Sequence, residues 1–192
     1  MKKRFFDIVI SIIGLLLCWP ILIFGLLVSI ISTHSYGVFI QIRVGQFGRL
    51  FKVYKLQTMI RGKAIESPIT ALNSNRITKG GLFLRKYKID ELPQLFNVLF
   101  GDMSFVGPRP DVPGYADLLT GNDRLILSIR PGITGPASIK YKNEEDILIR
   151  QNNPKEYNDR IIWPDKVKIN RQYFDTNTLF GDIKYIIKTL RR

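Results

Sequence analysis

FFDIVISIIGLLLCWPILIFGLLVSIIS, from Phe5 to Ser32, sets the kind of protein this chain can be. Asp7 is the only charge in it. At about 1.5 Å per residue, a straight helix of that length exceeds the ~30 Å hydrocarbon core of a bilayer. A signal peptide fits poorly, because the apolar run is too long and no A-x-A cleavage site follows. Pro20 sits near the midpoint, where it removes a backbone N–H and crowds the preceding turn, favouring a break or kink. Trp19 before it is also pushed away from α geometry. Gly14 and Gly25 allow close helix approach but decide nothing. Lys2, Lys3 and Arg4 precede the segment, and Arg43, Arg49, Lys52 and Lys55 follow it. Positive residues mark the cytoplasmic side. A re-entrant hairpin keeps both basic flanks there, whereas a spanning helix sends one across. Central prolines are also tolerated in spanning helices, so these residues alone leave both topologies open.

The remaining composition narrows the partners. The chain has 192 residues, 45% of them hydrophobic, which is enough for a core and unlike a disordered tail. The formal net charge of +13 points to polyanions: nucleic acid, anionic lipid or phosphorylated substrates. On composition alone, nucleic acid comes first. Cys18 is the only cysteine, which excludes an internal disulfide and a CxxC zinc site. His34 is the only histidine, and it reads as a polar residue in a Ser/Thr-rich loop. Acid-base chemistry must therefore come from carboxylates, lysines or tyrosines.

Past the apolar segment, YGVFIQIRVGQFGRLFKVYKLQTMI (36–60) alternates in part and reads as a short β-hairpin or two extended strands. Residues 61–80 read as an exposed polar loop. Leu82 to Lys88 reads as a short helix. Asp90 to Phe100 has apolar residues at helical spacing, with Asp90 as a candidate cap and Pro93 in the first turn. VGPRPDVPG (106–114) reads as a fixed loop, 114–128 as helical, and RPGITGP (130–136) as a second rigid turn. A polar helix is expected around 143–150, a loop at NNPKEYN and a helix over 165–175. Thr178 to Leu190 places Leu179, Phe180, Ile183, Ile186, Ile187 and Leu190 on one side and Lys184 and Lys188 on the other. That basic amphipathic helix suits either a core contact or an anionic membrane surface.

Three clusters can carry chemistry. In FLRKYKIDELPQLFNV (83–98), Asp90 and Glu91 lie at an expected helix start, close after Arg85, Lys86 and Lys88. Helix starts attract phosphate, and paired carboxylates can hold Mg²⁺ or attack phosphorus. The same residues also suit plain capping. In GDMSFVGPRP (101–110), Pro108 and Pro110 hold Arg109 on a stiff backbone, which suits bidentate phosphate recognition or an ordinary surface turn. Arg43, Lys55 and Arg61 around the hairpin could neutralise a diphosphate or simply be solvated.

KIDELPQLFNVLFGDMSFVGPRP (88–110) closely resembles the signature of the bacterial sugar transferase family, the small monotopic phosphoglycosyl transferases. KKRFFD before the Pro-broken segment, QIRVGQFGRLFKVYKLQTM (41–59), RITKGGLFLRK (76–86) and RPGITG (130–135) follow the family's order as well. The resemblance implies an α+β fold, mainly α: a re-entrant membrane helix-break-helix (1–35) with its break at Pro20, then a small cytosolic catalytic domain (36–192) with a short β-hairpin and amphipathic surface helices. It implies that Asp90 attacks the β-phosphate of a UDP-sugar, that UMP leaves, and that polyprenol (undecaprenyl) phosphate takes the sugar phosphate from the aspartate. Glu91 would position groups or handle a proton. Mg²⁺, held in part by Asp90, would neutralise the diphosphate. Arg85 and Arg109 match basic positions at the family's phosphate site, with Lys55 a further substrate-binding candidate. The expected location is the cytoplasmic face of the bacterial inner membrane, in contact with anionic lipid. No nucleic acid is expected, and a homo-oligomer stays open.

The chain departs from the family pattern at Gln57, where Arg is usual, at Ser138, where Gln is frequent, and at Trp19, where a small polar residue often precedes the proline. The first two bear on which sugar is used, not on the reaction class. No large membrane domain precedes the apolar segment, so the expectation is the minimal form of the family.

Overall fold

A computed structural model describes residues 2–60 and 76–191. Arg61 and most of the loop expected over 61–80 lie outside them.

The apolar segment forms α1 (Lys2–Thr33), with Pro20 inside it. The helix-break-helix expected at Pro20 is therefore a single helix by its hydrogen bonding. One proline removes one donor, and the turns on either side remain bonded. Asp7, Ser11, Gly25, Ser29 and Thr33 are its buried residues. These small and polar positions recur at helical spacing and form one stripe that docks on the domain, while Ile12, Leu16, Trp19, Ile23 and Leu27 remain exposed. The usual sense of an amphipathic helix is inverted, and this suits an apolar surround. A Cβ on Gly25 would lie 2.7 Å from Ile89 and 2.8 Å from Leu56, so a larger residue would force those side chains to shift. The single hydroxyl of Ser29 lies 2.9 Å from the carbonyl of Gly37 and 2.6 Å from that of Gln57, within reach of either.

Strands β1 (Val38–Val44) and β2 (Leu50–Leu56) form the expected antiparallel hairpin, with Gln41 opposite Val53 and Arg43 opposite Phe51. Val53 packs on Val98 and Met103, and Leu56 on Leu84 and Ile89. Helices α2 (Lys79–Lys86) and α3 (Gln94–Phe100) bracket a tight turn at Ile89–Glu91. Asp90 lies in that turn and does not cap α3, which starts after Pro93 without a side-chain cap. Asn97 of α3 is fully buried. Its Oδ1 accepts from Tyr54 N at 3.1 Å, and its Nδ2 donates to Lys52 O at 2.7 Å. One side chain thus satisfies the free edge of β2.

The two Pro/Gly motifs meet. Strand β3 (Ser104–Val106) runs parallel to β4 (Gly132–Thr134), so part of the second expected turn is a strand. Gly107 N donates to Thr134 O at 2.9 Å, and Gly132 N to Pro108 O at 2.8 Å. A Cβ on Gly107 would lie 2.4 Å from Arg130 O, so the backbones pack as they do only because that side chain is missing. The stretch expected to be helical over 114–128 is instead two 3₁₀ segments, Ala116–Leu118 and Gly121–Ser128. Gly114 (φ 101°) and Gly121 (φ 55°) sit in left-handed geometry and interrupt any longer helix.

Short helices α4 (Pro136–Lys140), α5 (Glu144–Ile149) and α6 (Pro154–Tyr157) follow. The last was expected to be loop. Asn153 caps it by accepting from Glu156 N, and Pro154 fits its first turn. A π turn (Asn158–Ile162) leads into α7 (Trp163–Thr176) and then α8 (Leu179–Leu190). Asp182 of α8 is buried against Lys3 Nζ and Tyr173 OH. The apolar side of α8 is only partly used by the core: Phe180 is 80% exposed and Leu190 79%.

A carboxylate-cation cluster as the candidate active site

The turn at Ile89–Glu91 begins from Lys88, whose φ of 58° is left-handed, a conformation that costs a side-chain-bearing residue energy. This bend ends α2 and sets Asp90 and Glu91 against β2. Lys55 and Arg43 both project from the face of the hairpin that carries Gln41 and Val53, because strand side chains alternate. Arg109 arrives in the loop after β3, fixed by the Gly107–Thr134 and Gly132–Pro108 bonds.

Lys55 Nζ lies 3.1 Å from Glu91 Oε1, and Arg109 Nη2 lies 3.0 Å from the same oxygen. Burial opposes charge on Glu91, but Arg109, Lys55 and Lys88 outweigh it and hold the carboxyl well below the usual carboxylate range. Asp90 differs. Burial and the neighbouring Glu91 charge push its pKa up, against Lys55, Arg85 and Lys88. Its Oδ1 is buried and has no hydrogen-bond partner among the described residues. Burial lowers the Lys55 ammonium, with Glu91 working the other way. The dyad is thus asymmetric: Glu91 is a clamped anion between cations, and Asp90 is a buried carboxylate with an unengaged oxygen.

Arg85 is less direct. Its Nε donates to Thr58 Oγ1 at 2.9 Å, and it approaches Glu145 at 3.8 Å, reaching Asp90 only through its field. Beyond Arg109 lies a second group, of which the sequence singled out only Arg43. Asp111 is raised to about 6 by burial, offset by Lys166, Arg43 and Arg109. Burial and then the Arg109 charge lower Arg43 to about 10, and its Nη1 donates to Pro110 O at 3.2 Å. Lys166 pairs with Glu144 at 2.6 Å. Asp111 stood inside the quoted VGPRPDVPG loop, but Lys166 and Glu144 carry no local signal, because only tertiary packing brings α5 and α7 here. The buried side-chain oxygens of Gln57 and Ser138, two positions that depart from the family pattern, lack partners among the described residues.

The whole chain, residues 1–192, matches the family model for bacterial sugar transferases. The chain belongs to this family. Among members similar to it, the galactosyl transferase CpsE of Streptococcus agalactiae serotype III is 37% identical over 98% of this chain and 41% of the relative. The uncharacterized sugar transferase EpsL of Bacillus subtilis is 34% identical over 99% of this chain and 86% of the relative. The UDP-glucose:undecaprenyl-phosphate glucose-1-phosphate transferase of Escherichia coli K12 is 34% identical over 98% of this chain and 39% of the relative. The chain therefore spans most of EpsL but about two fifths of the longer relatives.

Proposed function

We propose that this protein is a polyprenol-phosphate phosphoglycosyl transferase that moves a sugar-1-phosphate from a UDP-sugar to polyprenol phosphate through an aspartyl-phosphosugar intermediate. The observation that carries the reading is the partnerless, buried Asp90 Oδ1 beside a Glu91 already held by Lys55 and Arg109. The name of the E. coli relative supplies the same donor type, acceptor and transferred group.

In the first step, Asp90 attacks the β-phosphorus. The bond to the bridging oxygen breaks, and UMP departs with the electron pair. In the second step, an oxygen of polyprenol phosphate attacks the same phosphorus and displaces the Asp90 carboxylate, giving polyprenol-diphosphate-sugar. Such transfers need positioning and charge neutralisation more than proton chemistry, so a chain with a single histidine suffices. Arg109 and Lys55 oppose the diphosphate charge, Glu91 holds both cations in place, and Arg85 adds a more distant positive field. A carboxylate is a good nucleophile here only when ionised. The surrounding cations therefore serve a second purpose, opposing the upward pull on the Asp90 pKa.

Mg²⁺ commonly uses one or two carboxylates together with substrate phosphate oxygens and water. Among the described residues no group of three or more His, Cys, Asp or Glu could hold a metal alone. The free Asp90 oxygen fits the sparser arrangement, and the ion would supply further neutralisation of the diphosphate.

The membrane reading rests on the two ends of α1. Lys3 bonds to Val106 O and Asp182, and Arg4 to the carbonyls of Val98 and Leu99. At the other end, Ser29 lies within reach of the carbonyls of Gly37 and Gln57. Both ends are thus tied to one domain, which supports insertion from a single, cytoplasmic face of the inner membrane, with a kink at Pro20 in an otherwise bonded helix. The exposed Phe180 and Leu190 of α8, beside Lys184 and Lys188, fit a surface of anionic lipid. Lipid and phosphorylated substrates, not nucleic acid, account for the positive charge, and the product would begin assembly of a surface glycan or glycoconjugate.

The deciding experiment uses protein in lipid nanodiscs with Mg²⁺ and sugar-labelled UDP-sugars. Without acceptor, label should stay on the protein and UMP should appear in stoichiometric amount. Asp90→Asn should lose both while remaining membrane-bound. Turnover by Asp90→Asn would remove that carboxylate from the nucleophile role.

A further inference from the structure

An open cleft of about 510 Å³ lies between the 3₁₀ segment Ala116–Leu118 and the start of α7, lined by Tyr115, Leu118, Leu119, Lys155, Asp159 and Trp163. That volume is within the range of ~300–1,000 Å³ typical of small-molecule sites. Resting on the transferase reading above, we propose that this cleft binds the uridine of the nucleotide sugar.

The cleft is built by a local irregularity. Pro164 has no N–H to give to the carbonyl of Arg160, so the helix from α6 to α7 cannot keep its ordinary register there. It widens by one residue instead, and Trp163 N bonds to Asn158 O, five residues back. The wide turn brings Asp159 Oδ1 to Tyr115 OH at 2.7 Å and to Asn158 Nδ2 at 3.1 Å. The Tyr115 and Trp163 rings meet edge to face with centroids 5.4 Å apart. The result is an aromatic wall beside a carboxylate, with Lys155 on the cleft lining. A planar base can stack on the wall. Asp159 accepts from the uracil N3–H or the ribose hydroxyls, and Lys155 donates to a base carbonyl.

Position separates uridine from sugar. Arg109, Asp111 and Ala116 line one narrow crevice, and Ala116 opens the 3₁₀ segment beside the cleft. Glu91 bonds to Arg109, Asp111 follows two residues later, and the charge of Asp111 is felt at Tyr115 while that of Lys166 is felt at Asp111. Lys166 lies one helical turn from Trp163, so a single turn of α7 faces both the Arg109–Asp111 cluster and the cleft. In a UDP-sugar, the sugar is attached to the phosphorus that Asp90 attacks, and the nucleoside lies one phosphate further away. A site beyond Arg109 is in the nucleoside's place.

Trp163 and Trp19 are the only tryptophans, so Trp163 can report on its own cleft. In full-length Trp19→Phe protein in nanodiscs, UMP should quench the remaining tryptophan saturably, and a sugar-1-phosphate should not. Two variants then carry the kinetics: Asp159→Asn, which keeps the shape, and Leu118→Trp, which fills the cleft from an exposed position. Each should weaken inhibition by UMP about tenfold and raise KM for every UDP-sugar tested by the same factor. Quenching by sugar-1-phosphate alone, altered discrimination between UDP-sugars at unchanged UMP inhibition, or no response in protein that still releases UMP would each overturn the assignment. Failure of unaltered protein to release UMP from any UDP-sugar would instead count against the transferase reading.

Discussion

Arg109 donates to Glu91 Oε1 at 3.0 Å, a contact that joins the loop after β3 to the turn before α3. The same oxygen takes Lys55 at 3.1 Å, so Glu91 holds two cations that would otherwise repel each other. Arg109→Lys keeps the charge but loses the planar fork. Its kcat/KM should fall about 10- to 100-fold, roughly 1.4–2.7 kcal/mol of transition-state stabilisation. Glu91→Gln should be at least as damaging, because both cations lose their anchor. In a double-mutant cycle on UMP release, the two changes together should cost less than their sum. Strict additivity would mean that the contact is incidental.

Asp111 makes the protein's stability depend on pH in a definite direction. Its folded pKa of about 6 lies above the ordinary 3.8 because burial penalises the charged form. The fold therefore favours the protonated acid. That contribution is complete below about 3.8 and is lost as pH rises through about 6. The loss amounts to at most roughly 3 kcal/mol. In thermal melts in detergent, the change in melting temperature from pH 4 to pH 7 should be more positive for Asp111→Asn than for the parent. An unchanged difference would place the pH dependence elsewhere.

Much of this was legible in the sequence because the decisive signals are local. The hairpin showed as alternation around Gly45 and Gly48, and the Asp90-Glu91 pair and the proline-flanked Arg109 could be picked out directly. What was hidden depended on contacts. RPGITGP looked like a second turn because a three-residue strand has no period, and only its pairing with β3 makes it one. Asp90 looked like a cap because nothing local reveals that Lys88 turns left-handed and delays α3 to Gln94. Pro20 suggested two helices, but docking along the stripe from Asp7 to Thr33 accompanies one. Lys166 and Glu144 lie on helices whose own sequences give no hint of a partner.

Lys88 separates stability from charge. At φ 58°, glycine relieves the strain, so Lys88→Gly should leave the fold unchanged or stabilise it by up to about 1 kcal/mol. The same change removes a cation that favours ionised Asp90 and Glu91. The variant should melt no lower than the parent but release UMP more slowly near neutral pH, with part of the loss recovered at higher pH as Asp90 ionises. A lower melting temperature would show that the lysine side chain, not its charge, matters here.

The attachment of α1 makes a topological prediction. Lys3 pairs with buried Asp182 and also donates to Val106 O, so the chain's start is fastened to α8 and β3. If the domain lies on one face of the membrane, the residue before Lys3 lies on that face as well. Cys18 is the only cysteine, and Cys18→Ser gives a background for single replacements. In spheroplasts, an impermeant thiol reagent should miss both Lys2→Cys and Asn177→Cys, and both should react once the membrane is opened. Removing the anchor by Lys3→Met leaves Asp182 buried with Tyr173 but without its cation; because the Lys3 side chain is 35% exposed, the cost should fall below the ~3–5 kcal/mol of a fully buried pair. That variant should melt lower, and Lys3→Met with Asp182→Leu should recover part of the loss. Labelling of Lys2→Cys from outside intact spheroplasts, with Asn177→Cys still protected, would mean that α1 crosses the bilayer and that its contact with α8 does not hold in the membrane.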